Sequence, residues 1–238
     1  MNTKNYNPDA RLTKKILILE PHLDDFEVGL SVWLKKMSSF KLDIHIVTFC
    51  EGRREQTSQE RADRLQKRLD NLELFKVKYP NLKIWNWRMK FKDTELDGIS
   101  MGALIVEFHK FFDSLVVPHV QNFDYFKEIY FPQEDLHVDH SIVNKIGKIL
   151  TRNFKGKVFE YIIQNSNYKN NFTYNTEIKT EFTFGDDVLA KNFIEVCLYP
   201  HEKVYFQNIV HIQKGFDGKY ISDKLNLIKD IFVASDRI

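Results

Sequence analysis

The sequence predicts an α/β fold: a Rossmann-like open, mostly parallel sheet with helices on both faces, plus a less regular C-terminal part. Three observations carry that expectation. Short continuous apolar runs such as Ile16-Leu17-Ile18-Leu19 read as strands buried on both faces. Segments whose apolar residues recur at helical spacing separate these runs, so strand and helix alternate. A chain of 238 residues is also long enough to bury most of its apolar surface in one such domain without disulfides.

Taken in order, the first strand, 16–19, runs into Pro21-His22-Leu23-Asp24-Asp25-Phe26-Glu27 and a helix carrying Val28, Leu30, Val32, Trp33, Leu34 and Met37. Leu42 to Val47 resumes strand character, which completes a βαβ unit. A charged turn at 51–54 precedes a long amphipathic helix over 59–78 with Leu65, Leu69, Leu72 and Leu74, then a third strand over 82–87. A polar loop, 93–98, leads to a helix over 101–117. The fourth strand, 125–131, feeds a helix over 137–151 marked by Val143, Ile146, Ile149 and Leu150, and a fifth strand follows at 158–163. Beyond Asn165 the pattern predicts β structure over 172–184, a helix over 187–196 and a closing amphipathic helix over 219–232. No repeat, low-complexity tract or linker interrupts the chain, so residues 1–238 read as a single domain.

Composition narrows the function classes. Lys and Arg total 35 against 33 Asp and Glu, a formal charge of +2, and no basic stripe with interleaved aromatics stands out, so nucleic acid is not indicated as a partner. Cys50 and Cys197 lie in apolar runs without CxxC spacing and read as buried thiols rather than ligands or a disulfide. There is no signal-peptide core and no apolar stretch of ~18 residues, so a cytoplasmic protein without a membrane span is expected. A homo-oligomer is compatible with all of this.

The chemistry concentrates in two segments, His22-Leu23-Asp24-Asp25 and His137-Val138-Asp139-His140. Each follows a predicted strand, and in open α/β sheets sites form beyond the carboxyl ends of the strands at the switch point. A lone Asp-Asp after a strand reads as a helix N-cap pair, and a lone HxDH reads as surface or core histidine. Their joint occurrence at two strand ends points to a metal. A catalytic zinc commonly takes three protein ligands from His and carboxylates, and His22, Asp25 and His140 fill that role. Asp24 then sits where a general base is needed, His137 where an oxyanion can be stabilised, and Asp139 where it can hydrogen-bond an imidazole and fix its tautomer.

These segments resemble a known family. Pro21-His22-Leu23-Asp24-Asp25, with Glu27 and Gly29 close behind, resembles the opening motif of the LmbE-like, or PIG-L, N-deacetylases, and His137-Val138-Asp139-His140 resembles their His-Pro-Asp-His. Glu60-Arg61 and Lys92-Asp93 are similar to the family's Glu-Arg pair and its substrate-facing acidic loop. The resemblance covers roughly residues 15 to 150. It implies zinc on His22, Asp25 and His140, Asp24 as general base, and His137 assisting the tetrahedral intermediate. The chain departs from the pattern at Leu30-Ser31-Val32, where the family has Gly-Gly-Thr, and in lacking proline after His22 and His137. It also has Asp135 where some members carry Tyr, and His201-Glu202-Lys203 matches the family's C-terminal His-Ser-Gln poorly.

The expected function is a zinc-dependent hydrolase, with one ion per chain, that removes the acetyl group from an N-acetylated amino sugar or its conjugate. Arg61 and Asp93 are the expected substrate contacts. A metallohydrolase of the same ligand set acting on another amide, an ester or a modified nucleoside is the alternative, followed by a non-catalytic carbohydrate-binding relative. His45, His109, His119 and His211 have no paired ligand and read as structural or surface residues.

Overall fold

The computed structural model describes residues 13–27, 30, 34, 37–115 and 123–161, with the short segments 179–180 and 232–234. Five parallel strands form its centre: β1 (Lys14–His22), β2 (Leu42–Cys50), β3 (Leu82–Phe91), β4 (Glu128–Pro132) and β5 (Lys157–Tyr161). Their order is β3-β2-β1-β4-β5, and two short strands, β7 (Phe232–Ala234) and β6 (Lys179–Thr180), extend the sheet antiparallel beyond β5. The strand order reverses between β1 and β4, and the carboxyl ends of the strands at such a switch point are where folds of this kind place their sites.

The two-residue period of a strand divides the core between the faces. Ile16 and Ile18 point to one side with Ile44, Ile46, Leu72 and Phe75, while Leu17 and Leu19 point to the other with Val47, Phe108, Val143 and Ile146. The first face is covered by the segment after β1, helical at 25–27, and by α1 (Ser58–Lys78). The second is covered by α2 (Met101–Ser114) and α3 (Val138–Leu150). Helices on both faces explain why the central strands read as unbroken apolar runs.

Local signals set the helix ends. Thr57 caps α1 in a reciprocal capping box with Glu60, and Lys76 and Lys78 stand in its last turn against the negative end of the helix dipole. Ser100 caps α2 by accepting the Ala103 N–H. Gly147 brings α3 directly onto β4: a Cβ there would stand 2.4 Å from the Phe131 ring.

Several sequence expectations shift. The fourth strand starts at Glu128 rather than Tyr125, because 123–125 closes as a 3-10 turn. His137 is the N-cap of α3 and not its first helical residue. Phe232, expected at the end of a helix, lies in β7, and Lys179–Thr180 form a strand inside the expected β region. The helix expected over 187–196, the rest of the closing helix, Cys197, His119, His201 and His211 lie outside the described residues. Among the described residues no helix is long and apolar enough to cross a membrane.

Candidate metal centre

His22 is the last residue of β1, and a turn at Leu23 and Asp24 brings Asp25 back beneath it. The His22 N–H donates to Asp25 Oδ2 at 2.8 Å, which fixes the carboxylate against the ring. From the far side of the switch point, the N-terminus of α3 supplies His137, Asp139 and His140. Three side-chain atoms then converge. His22 Nδ1 lies 3.2 Å from Asp25 Oδ2 and 3.3 Å from His140 Nε2, and His140 Nε2 lies 3.6 Å from the same Asp25 oxygen. Three ligands on a tetrahedral ion with bonds of roughly 2.0–2.1 Å stand about 3.3 Å apart, so this triangle has the dimensions of one face of such a site.

The outer nitrogens are equally constrained. His22 Nε2 faces Asp139 Oδ2 at 3.1 Å, and His140 Nδ1 faces Asp135 Oδ2 at 2.6 Å. An imidazole whose outer nitrogen is held by a carboxylate presents its inner lone pair in a fixed direction, the usual support for a metal ligand. Asp139 is itself held by the Thr94 N–H at 2.7 Å. Thr94 adopts φ 63°, a left-handed conformation costly for a β-branched residue, and its position beside Asp139 matches the tendency of such strain to collect at functional sites. Asp139 was expected to hydrogen-bond an imidazole, and the ring it stands against is that of His22.

His137 joins the cluster through ring contacts. Its ring lies 4.7 Å from that of His22, edge to face, and 4.5 Å from that of His140, stacked. His22, His137 and His140 each offer a nitrogen within 4.8 Å of the others, and the buried His137 Nδ1 has no hydrogen-bond partner. Burial and the neighbouring His22 and His140 rings push His137 below the ordinary imidazole range, which favours its neutral form. Burial opposes charge on His22 as well, yet the nearby Asp25 and Asp139 outweigh it and raise His22 well above that range. Burial likewise raises Asp139, and hydrogen bonds from His22 and Thr94 overcome it to hold the carboxyl below its usual value. The donors, their spacing and the surplus of carboxylates all suit a bound divalent cation.

Asp24, in the turn between β1 and Asp25, accepts from Arg64 Nη2 at 3.0 Å. The same guanidinium reaches Asp93 at 3.7 Å. Arg61, the expected substrate contact, instead turns back to its own helix start and donates to the Gln56 carbonyl at 2.5 Å. Arg64, one helical turn later, is the cation the structure brings to the site. Sequence reasoning passed over it and Asp135. The available signals were the i, i+3 spacing from Arg61 and an acidic residue in the loop entering α3.

Behind the site, Arg68 is fully buried between Glu27 and Glu20, at 2.7 Å from the latter. Glu20 also accepts from Thr48 and from the Phe26 N–H. Burial pushes the Glu20 carboxyl up to about 7 despite the Arg68 charge. This network ties α1 to the strand that carries His22. His45 is buried at 4% exposure against Trp85 and Trp87, a structural setting as expected, and His109 packs edge-on to Phe108 and Phe123.

No protein-family model matches the sequence, and no curated protein matches it either. Solved structures do match. The N,N'-diacetylchitobiose deacetylase of Pyrococcus horikoshii superposes with a TM-score of 0.58 at 15% identity, over 96% of this chain and 87% of that one. The zinc-inhibited form of teicoplanin deacetylase gives 0.56 at 10% identity, over 94% and 100%. The 4-carboxy-2-hydroxymuconate hydratase of Pseudomonas putida gives 0.53 at 9%, over 95% and 98%. The chain therefore shares the fold of these deacetylases, a fold that also carries a hydratase.

Proposed function

We propose that this protein is a zinc-dependent N-deacetylase acting on an N-acetylated amino sugar or its conjugate, with one catalytic ion per chain. The observation that carries the reading is the triangle of His22 Nδ1, Asp25 Oδ2 and His140 Nε2, with both outer imidazole nitrogens held by carboxylates. The fold likeness to two deacetylases supports the reaction class, and the likeness to a hydratase means that the site, not the fold, must decide it.

On this reading His22, Asp25 and His140 are the metal ligands. A zinc ion there supplies Lewis acidity, polarising a carbonyl and lowering the pKa of water. Asp24, held in place by Arg64, accepts the proton of the attacking water. His137, kept neutral by its surroundings, donates a hydrogen bond to the acetamide oxygen as negative charge develops on it. The C–N bond then breaks, Asp24 returns to the amine the proton it took from water, and acetate and a free amino sugar leave. Asp139 orients His22. Asp93 and Arg64 border the base and suit a hydroxylated substrate.

The test is acetate release from a panel of N-acetylated amino sugars, beside esters and other amides, with metal content measured on the same preparations. Zinc near one equivalent per chain and acetate release from an amino sugar are expected. Protein that takes up no divalent ion overturns the metal reading. Turnover of esters or other amides alone replaces the deacetylase by the alternative metallohydrolase. His137→Ala should keep its metal and lose about 100-fold in turnover.

A further inference from the structure

A second group of metal-ligating atoms shares His22 with the proposed catalytic triangle and adds Cys50, which the proposed reaction does not use. His22, Cys50 and Asp93 each offer one ligand atom, and these atoms lie within 4.8 Å of one another. The topology makes the grouping. His22 and Cys50 are register partners at the carboxyl ends of β1 and β2, and Cys50 pairs onward with Phe91 of β3. A register shift between Thr48 and Cys50 leaves an extra residue in β3, where Lys90 turns through φ 67°. The chain then delivers Asp93, whose N–H is held by the Gly52 carbonyl at 2.9 Å. The ends of two neighbouring strands and the loop that follows the third thus present an imidazole, a thiol and a carboxylate within 4.8 Å of one another.

Two independent features point to a ligand. Asp139, fully buried and in hydrogen-bond contact with His22, leaves its Oδ1 without a partner, and the buried Asp93 Oδ1 also has none. Buried carboxylate oxygens are rarely left so. Asp139 and Asp93 are also the strongest charged influences on the Cys50 thiol after burial, so the orphaned carboxylates and the sulfur share one locality. Native interiors concentrate acidic groups in this way where a cation completes the balance.

We propose that Cys50, Asp93 and His22, with Asp139 beside them, form a second and weaker site for a borderline-soft divalent cation such as zinc. Nitrogen and sulfur ligands on a tetrahedral zinc stand about 3.6 Å apart. The three atoms lie within 4.8 Å of one another, a range that includes this separation, and the lower affinity follows from sharing His22 with the first group. Sulfur and imidazole together select zinc over magnesium or calcium, and the thiol releases its proton to solvent as the ion binds. Because His22 belongs to both groups, occupancy of the second site draws on the ring that orients the first. The protein then carries a built-in brake: excess zinc perturbs the catalytic centre through His22. That coupling rests on the proposed assignment of His22 to the catalytic ion, whereas the existence of the second site does not.

The ligand set gives it a distinct signature. The proposed catalytic ligands contain no sulfur, so cobalt titrated into metal-free full-length protein should show d–d absorption with the first equivalent. A near-ultraviolet thiolate-to-cobalt charge-transfer band should appear only with the second. Cys50→Ser should abolish that band while retaining the first equivalent, and Cys197→Ser should keep both. Asp93→Asn should weaken the second equivalent by roughly 10-fold or more. A wild-type protein without the band, or a band lost in Cys197→Ser instead, overturns the second site. Failure to bind even the first equivalent counts against the catalytic metal reading, so the two ideas fail separately.

Discussion

Asp24 and Asp25 have the same chemistry and different neighbours. Asp25 lies under the two imidazoles, with one oxygen 3.2 Å from His22 Nδ1 and 3.6 Å from His140 Nε2, while Asp24 faces Arg64. Asp24→Asn keeps size and hydrogen bonding and removes the proton acceptor, so near-native zinc content with a loss of about 100-fold or more in turnover is expected. Asp25→Asn should lose zinc affinity, with activity partly recovered at high added zinc. Metal stoichiometry beside acetate release on both variants decides the matter, and the reverse pattern would exchange their roles. At this scale residue type and place after a strand were enough to single out His22, Asp25 and His140 as candidates, and the structure brings the three side chains together. It was uninformative for Asp135 and Arg64. Their roles depend on which group stands across from them, and nothing in local spacing encodes that.

Among the elements, α1 matters most to the site without supplying a ligand. Its Arg68 is buried between Glu20 of β1 and Glu27 of the segment behind Asp25. An ion pair in this setting adds little net stability over a well-packed apolar alternative, but removing one partner leaves buried charge uncompensated, at a cost of about 3–5 kcal/mol. Arg68→Met is therefore expected to lower the urea midpoint sharply with little change in slope. Adding Glu20→Gln and Glu27→Gln should recover part of the loss. A loss below about 1 kcal/mol in the single variant would mean that water, not Arg68, satisfies these carboxylates. The heptad-like leucines of α1 made the helix legible. They did not reveal Arg68 as a core residue, because an arginine in an amphipathic pattern reads as solvated until its partners are known. The entry to α3 has a similar history: HxDH suggested a helix already begun at His137, whereas His137 is the non-helical cap, and that turns its ring toward both other imidazoles.

For the whole molecule, the proposed catalytic site joins parts of the chain far apart in sequence: His22 and Asp139, 117 residues apart, meet at 3.1 Å. A ligand that binds only the folded state stabilises it by RT ln(1 + [L]/Kd), about 2.7 kcal/mol at 100 times Kd. Zinc should accordingly raise the melting temperature of metal-free protein by several degrees, and His140→Ala should remove most of that rise. A zinc-dependent shift of equal size in His140→Ala would place the stabilising ion elsewhere.

The alternation of apolar runs with helical periods was enough to specify strands, helices and a parallel sheet, because burial on both faces leaves a direct mark on local composition. Chain order and the right-handed crossover then placed both motifs at the carboxyl edge. Only the tertiary structure determined how the motifs meet. The 3.2 to 3.6 Å triangle and the carboxylates behind each imidazole depend on how the end of β1 meets the start of α3, and Cys50 stands beside His22 because β1 and β2 pair in that register. Secondary structure is written in patterns a few residues long. Register and side-chain partnership are settled by packing between segments that the sequence keeps apart.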